Sequence, residues 1–224
     1  MRYKKQIVLD GCNLVAKPGQ CIGIIGANGC GKTTLLSIMA GIQRPDQGEL
    51  NYFGEDALKK KEAFRKYIGY VPQDNPLILE LTVMDNLKLW YYGKNQFDSL
   101  QYVVNEFGLQ EVLKKKAGKL SGGMKRRLSI ACAMINLPPV MLLDEPCVAV
   151  DVVCKAQIHQ NLKQFTRNHG TIIMSSHDES EIKLCDTVYL MQYGMLQQVD
   201  PSEGLETLIL NNEQKRSSRE ETKE

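Results

Sequence analysis

The stretch GANGCGKTT, residues 26–34, concentrates three glycines, a lysine and two threonines straight after the apolar run CIGII. Cys21 to Ile25 reads as a short buried strand, and LLSIMAGI, from Leu35, carries apolar residues at helical spacing. The glycines therefore sit on a strand-to-helix turn. Gly26, four residues, then Gly31, Lys32 and Thr33 is the spacing of a phosphate-binding loop. Glycine lets backbone N–H groups come close to a ligand, and the N-terminus of the next helix adds partial positive charge. Gly26, Asn28, Gly29, Gly31, Lys32, Thr33 and Thr34 then form the cradle. Lys32 reaches the terminal phosphates and the Thr33 hydroxyl helps to hold Mg²⁺.

Such a loop needs a metal-holding acid. Val140 to Leu143 (VMLL) reads as a buried strand ending in Asp144-Glu145. Asp144 suits Mg²⁺ through water, and Glu145 suits a general base that polarises the attacking water. The same pair could simply close a strand; the loop upstream favours the acid. A further apolar strand, TIIMSSH, ends in His177. A histidine there could contact a γ-phosphate, but a lone histidine is more often structural.

The elements that must position these groups are legible. Residues 1–72 read as short strands around the loop and its helix. Pro45-Asp46-Gln47-Gly48 marks a turn before a strand over Glu49 to Phe53, and KYIGYV, Lys66 to Val71, reads as another strand ended by Pro72. Thr82 caps a helix whose apolar face is Val83, Leu87 and Trp90. Leu100, Val103, Val104 and Phe107 follow helical spacing up to Gly108. About 75–136 is therefore a helical insertion. Strand character returns at VMLLD, TIIMSSH and TVYLM. Strands alternating with helices argue an α/β fold with a parallel sheet. The lysine triplets at 59–61 and 114–116 read as solvated helix faces. The tail, 211–224, is nearly all polar and reads as disordered.

Composition narrows the classes. The chain has 224 residues, 43% hydrophobic and 24% charged, with a formal net charge of +2, so no nucleic acid is expected. No signal peptide opens it. Leu128 to Leu143 carries no charge, but it is shorter than the ~20 residues of a spanning helix, and Pro138-Pro139 breaks it. It reads as a helix, a break and a buried strand. The seven cysteines include no CxxC pair. Cys12, Cys21 and Cys30 fall in different elements, which argues against zinc among them and fits a reducing cytoplasm.

LSGGM, Leu120 to Met124, resembles the signature of ATP-binding-cassette (ABC) ATPases. It follows the phosphate loop and precedes the Asp-Glu strand, in the family's order. Gln73, in YVPQ, matches the glutamine loop, Asp151, in CVAVD, the loop after the acid strand, and His177 the switch histidine. Tyr3 stands where the family places an aromatic against adenine. The resemblance runs over about residues 3–195. It implies a P-loop NTPase with a parallel sheet core, a small antiparallel β lobe and an inserted helical subdomain, all one domain over 1–210. Residues 1–74 and 137–200 would form the nucleotide-binding core.

The resemblance also implies two cassettes packed head to tail, identical or different. ATP bound by the loop of one is capped by Ser121, Gly122 and Gly123 of the other, with Asp151 at the dimer contact. Lys32, Gln73, Glu145 and His177 carry the catalytic roles; Thr33, Gln73 and Asp144 hold Mg²⁺. Separate membrane-spanning permease subunits are implied, with the cassette on the cytoplasmic face of the membrane, and PLILEL, after Gln73, offers apolar surface for them or packs internally. LSGGMKRRLS resembles the drug-exporter-like branch, which implies export. A non-transport cassette acting on ribosomes or DNA is the rival. Such relatives usually carry two cassettes or a long coiled coil, and this chain has one loop, one signature and no long heptad run.

The chain departs from the pattern in places. Met124 stands where many members have Gln, CVAV lacks the usual Gly, and Val152 replaces a common Pro. Only Met1 and Arg2 precede Tyr3, so the edge strand is expected to be short or missing, which weakens the hold on that aromatic. Ser121 is itself a good N-cap, for a helix with Met124, Leu128, Ala131 and Ile135 on its buried stripe.

Overall fold

The computed structural model describes residues 1–3, 6–93 and 96–200. The elements run in chain order as follows. A two-residue pair, β1 (Arg2–Tyr3) and β2 (Gln6–Ile7), precedes β3 (Cys21–Ile25) and α1 (Lys32–Met39). Then come β4 (Asn51–Tyr52), β5 (Glu55–Asp56), α2 (Glu62–Tyr67) and β6 (Ile68–Val71). The helical insertion holds α3 (Val83–Trp90), α4 (Gln96–Glu106) and α5 (Gly122–Met134). The chain returns to the sheet with β7 (Val140–Asp144), α6 (Val152–Arg167), β8 (Thr171–Ser175), α7 (Glu179–Ile182), β9 (Thr187–Gln192) and β10 (Met195–Val199).

The main sheet has six strands in the order β10-β9-β3-β8-β7-β6. All neighbours pair in parallel except β10, which lies antiparallel on β9. The pairs β1-β2 and β4-β5 form two small antiparallel sheets, matching the expected β lobe. Both faces of the parallel strands are buried, so their sequences are continuously apolar. In β7 the alternation is explicit: Met141 and Leu143 pack into the cluster with α5 and α6 residues such as Leu128 and Ile158. Val140 and Leu142 pack on the other face with Leu35, Leu36 and Met39 of α1.

The register levels the strand ends. Val71 pairs with Leu143, Leu143 with Met174, Asp144 with Ser175 and Ser175 with Ile24. Four adjacent parallel strands therefore finish together, and the loops leaving their carboxyl ends carry residues 26–34, Gln73, Glu145 and His177. This is where open α/β sheets place ligands.

The helical insertion forms as its caps predict. Thr82 accepts from Asp85 N–H while the Asp85 carboxylate reaches back, a full capping box. Ser121 Oγ accepts from Met124 N–H. Leu128, Ala131 and Ile135 are fully buried, and Met124 is half-buried. The apolar run from Leu128 resolves into the end of α5, a break and β7, as expected.

Several local expectations are corrected. Trp90 is 44% exposed; α3 ends there, and Tyr91 packs against the core instead. KYIGYV becomes a strand only at Ile68, because Lys66 and Tyr67 close α2. Tyr67 Oη donates to Glu55 Oε1 at 2.5 Å, and Lys66 Nζ lies 2.7 Å from it, contacts between distant residues that periodicity does not register. The strand expected over Glu49 to Phe53 is only Asn51–Tyr52. Both lysine triplets are exposed, but they lie outside the helices rather than on helix faces. The disorder expected of 211–224 concerns residues outside the described set.

Candidate active site

The glycine-rich turn is shaped by what a side chain would hit. At Gly26, with φ of +149°, a Cβ would stand 2.5 Å from the Met191 carbonyl oxygen, so only glycine fits. The chain then enters α1 with Gly31 as N-cap and no side chain bonded to the first turn. Those N–H groups are left for a ligand, as at other anion-binding helix ends. Lys32 is buried, and its Nζ donates to Gly26 O at 2.7 Å and Ala27 O at 3.2 Å. The loop thus holds its own cation over its mouth.

A cleft of about 780 Å³ opens beside it, lined by Val8, Asn28, Gly29, Gly31, Lys32, Thr33, Thr34, Gln73, Glu145 and His177. Residues far apart in sequence converge on Glu145. Its Oε2 accepts from Gln73 Nε2 at 3.1 Å, and its Oε1 lies 3.4 Å from His177 Nε2. Glu145 has φ of +49°, a strained conformation for a side chain with a Cβ. Its N–H donates to Ser175 Oγ at 3.0 Å, and its carbonyl accepts from Arg126 Nη2 at 3.0 Å. Burial and the Lys32 charge push the His177 imidazole below its usual range, with Glu145 pulling the other way. His177 is therefore neutral near pH 7.

Asp144 is 1% exposed. Its Oδ1 accepts from Ser175 Oγ at 2.5 Å, and its Oδ2 has no partner among the described residues. A buried carboxylate oxygen without a donor is costly. A divalent cation would satisfy it, so the residues fit Mg²⁺.

Arg126 was missed by sequence reasoning. It is buried and donates to the carbonyls of Pro72, Gln73, Asp144, Glu145 and Pro146 at 2.7–3.1 Å. One planar guanidinium thus ties α5 to the Gln73 turn and to the end of β7. It stands in the charged run KRR, where nothing marks one cation as buried.

Ser121, Gly122 and Gly123 do not line the cleft. Asp151 caps α6, its Oδ1 accepting from Cys154 N–H at 2.9 Å. At Gly123 a Cβ would come within 2.9 Å of Cys154 Sγ and Cβ, so the signature helix packs closely on the start of α6. The expectation for Tyr3 turns on its side chain, which lies outside the described set; its backbone pairs with Gln6.

A strand-loop-helix phosphate cradle, a buried acid at the end of a neighbouring parallel strand and a poised carboxylate define a P-loop nucleotide-binding fold. Residues 9–148 match the family model for ABC transporters. The chain is 38% identical over 208 residues to a spermidine/putrescine import ATP-binding protein of Spiroplasma citri, covering 88% of this chain and 58% of the relative. It is 35% identical over 200 residues to a Nod factor export ATP-binding protein of Burkholderia thailandensis, covering 86% and 66%. The chain therefore spans less than two thirds of either relative's length. A dimeric ATP-binding cassette in a post-hydrolysis state, bound to ADP and Pi, superposes with TM-score 0.79 at 26% identity, over 89% of this chain and 94% of that one. A nucleotide-free cassette from an ABC transporter gives 0.82 at 22% identity, covering 94% and 92%, and shows the shared fold. The chain belongs to the ABC transporter family and has the fold of its ATP-binding cassettes.

Proposed function

We propose that this chain is the ATP-binding and hydrolysing subunit of an ABC transporter. The observation that carries the reading is the cleft where the 26–34 loop, Gln73, Glu145 and His177 meet. ATP phosphates would lie on the N–H groups of the loop and of α1, with Lys32 leaving its two carbonyls for the terminal phosphates. Glu145 takes a proton from the attacking water, which adds to the γ-phosphorus as the bond to ADP breaks. Gln73 and neutral His177 fix that carboxylate and water relative to the γ-phosphate. Thr33, Asp144 and Gln73 would hold Mg²⁺, which neutralises phosphate charge when bound.

Ser121, Gly122 and Gly123, at an N-terminus outside this cleft, would cap nucleotide on a second cassette. ATP then closes the pair, and hydrolysis opens it. The membrane partner is a separate permease subunit. No described helix is long and apolar enough to cross a membrane, and Ile78 and Leu79, 42% and 46% exposed in the PLILEL stretch, offer apolar surface to a permease helix at the cytoplasmic face. Leu77 packs on the core instead. The relatives' names include import and export; the LSGGMKRRLS run favours export.

The test is isolation of this chain from detergent-solubilised membranes of its own host, with companions identified by mass spectrometry. A companion with several spanning helices is the expected result. Ribosomal or DNA-repair proteins in its place would replace transport with the rival reading.

A further inference from the structure

Outside the catalytic cluster, three metal-ligating side chains from three segments of the chain meet. Cys147 follows Glu145 by two residues, His159 lies on α6 and Glu181 on α7. One ligand atom from each lies within 4.8 Å of the other two. The groups are under-satisfied. His159 Nε2 is buried with no hydrogen-bond partner among the described residues, and so is Glu181 Oε1. Glu181 is 2% exposed; its other oxygen, Oε2, accepts from Ser176 Oγ. The Cys147 thiol, a weak donor, lies against the Glu181 carboxylate. Two orphaned buried polar atoms beside a thiol are an arrangement that a folded chain avoids unless something binds there.

We propose that Cys147, His159 and Glu181 form a transition-metal site of the zinc type, separate from the Mg²⁺ position at Asp144 and Thr33. A thiol, an imidazole and a carboxylate suit a borderline-soft cation rather than Mg²⁺, which takes oxygen ligands. Zinc with ligand bonds of about 2.0–2.3 Å needs the three atoms about 3.5 Å apart, a closure of about 1 Å. Three protein ligands leave a fourth position for water. On binding, the thiol proton leaves to solvent and a thiolate–metal bond forms, so the site gains one net positive charge. Two cations act on this cluster, Arg126, already bonded to the carbonyls around Glu145, and Lys155, already paired with Asp178. A bound ion would tie the segment leaving Glu145 to the segment leaving His177, since Ser176 both bonds Glu181 and precedes His177.

The experiment is titration of the folded, nucleotide-free chain with Zn²⁺ against a chromophoric chelator, and with Co²⁺ followed by absorption, in excess Mg²⁺ to occupy the oxygen site. One ion per chain is expected, with a thiolate-to-cobalt charge-transfer band and a zinc-dependent rise in Tm. Cys147→Ser and His159→Gln should each weaken zinc binding by about tenfold or more and remove the rise in Tm, while Cys12→Ser should change neither. Failure of the wild-type chain to bind stoichiometrically overturns the proposal, as does undiminished binding in either ligand variant. Circular dichroism of each variant separates loss of the site from loss of the fold.

Discussion

At the residue scale, the chemistry turns on Glu145. Its carboxylate is held by Gln73 and lies beside His177, and its carbonyl is held by Arg126. Glu145→Gln keeps the shape and removes the base. Hydrolysis should fall by about 10²–10⁴-fold while ATP affinity stays within a few-fold, checked by phosphate release and equilibrium binding. Retained turnover would place the base elsewhere. The histidine gives a second prediction. Its folded pKa is depressed, so the unfolded chain takes the proton first as pH falls through about 6.5. Stability from neutral His177 is present above that pH and is lost below it. Its NMR titration should have a midpoint below 6.5. Because Glu145 favours the charged form, Glu145→Gln should lower that midpoint further. An upward move would mean that the carboxylate does not act on the imidazole as the geometry requires.

At the element scale, the cradle and the acid strand were readable because each is local: a glycine pattern, an apolar run, an acid at its end. The caps at Thr82 and Ser121 were readable for the same reason, whereas the cap that Asp151 makes on α6 was not. What escaped were contacts between distant segments. Arg126 looks like any surface cation, yet five carbonyls, from the Gln73 turn and from the end of β7 and the turn after it, close on it. Arg126→Lys keeps the charge and loses the fork. It should destabilise the fold by about 2–3 kcal/mol and lower kcat, since the Gln73 and Glu145 segments lose their common anchor; denaturant unfolding and turnover check this together. The segment before Asp151 carries strain of its own. Ala149, in the CVAV stretch where the family usually has glycine, has φ of +56°. A Cβ there costs about 1–2 kcal/mol, offset in part by the greater freedom of glycine in the unfolded chain. Ala149→Gly should therefore stabilise by about 0.5–1 kcal/mol, read as a higher denaturation midpoint at unchanged m-value.

At the scale of the whole molecule, the sequence shows two anion-binding features, and the fold keeps them apart. The 26–34 loop lines the cleft, whereas Ser121 and Gly122 are exposed outside it and Gly123 packs against the start of α6. If each cassette supplies one half of two composite sites, lesions in the two halves should complement. A chain carrying Lys32→Ala spoils the cradle, and a chain carrying Ser121→Arg spoils the cap. Either variant alone leaves both sites of a symmetric pair damaged. In a mixed pair, one site collects both lesions and the other collects neither. With random pairing, half the dimers are mixed and each keeps one of two sites, so an equimolar mixture should recover roughly a quarter of wild-type hydrolysis, given independent sites in an isologous pair. The measurement is phosphate release from each variant alone and from the mixture at a concentration that supports wild-type dimerisation. Activity of the Ser121→Arg chain alone near that of wild type would mean that the signature does not cap nucleotide. Two inactive variants whose mixture stays inactive would show that cradle and cap belong to one chain's site.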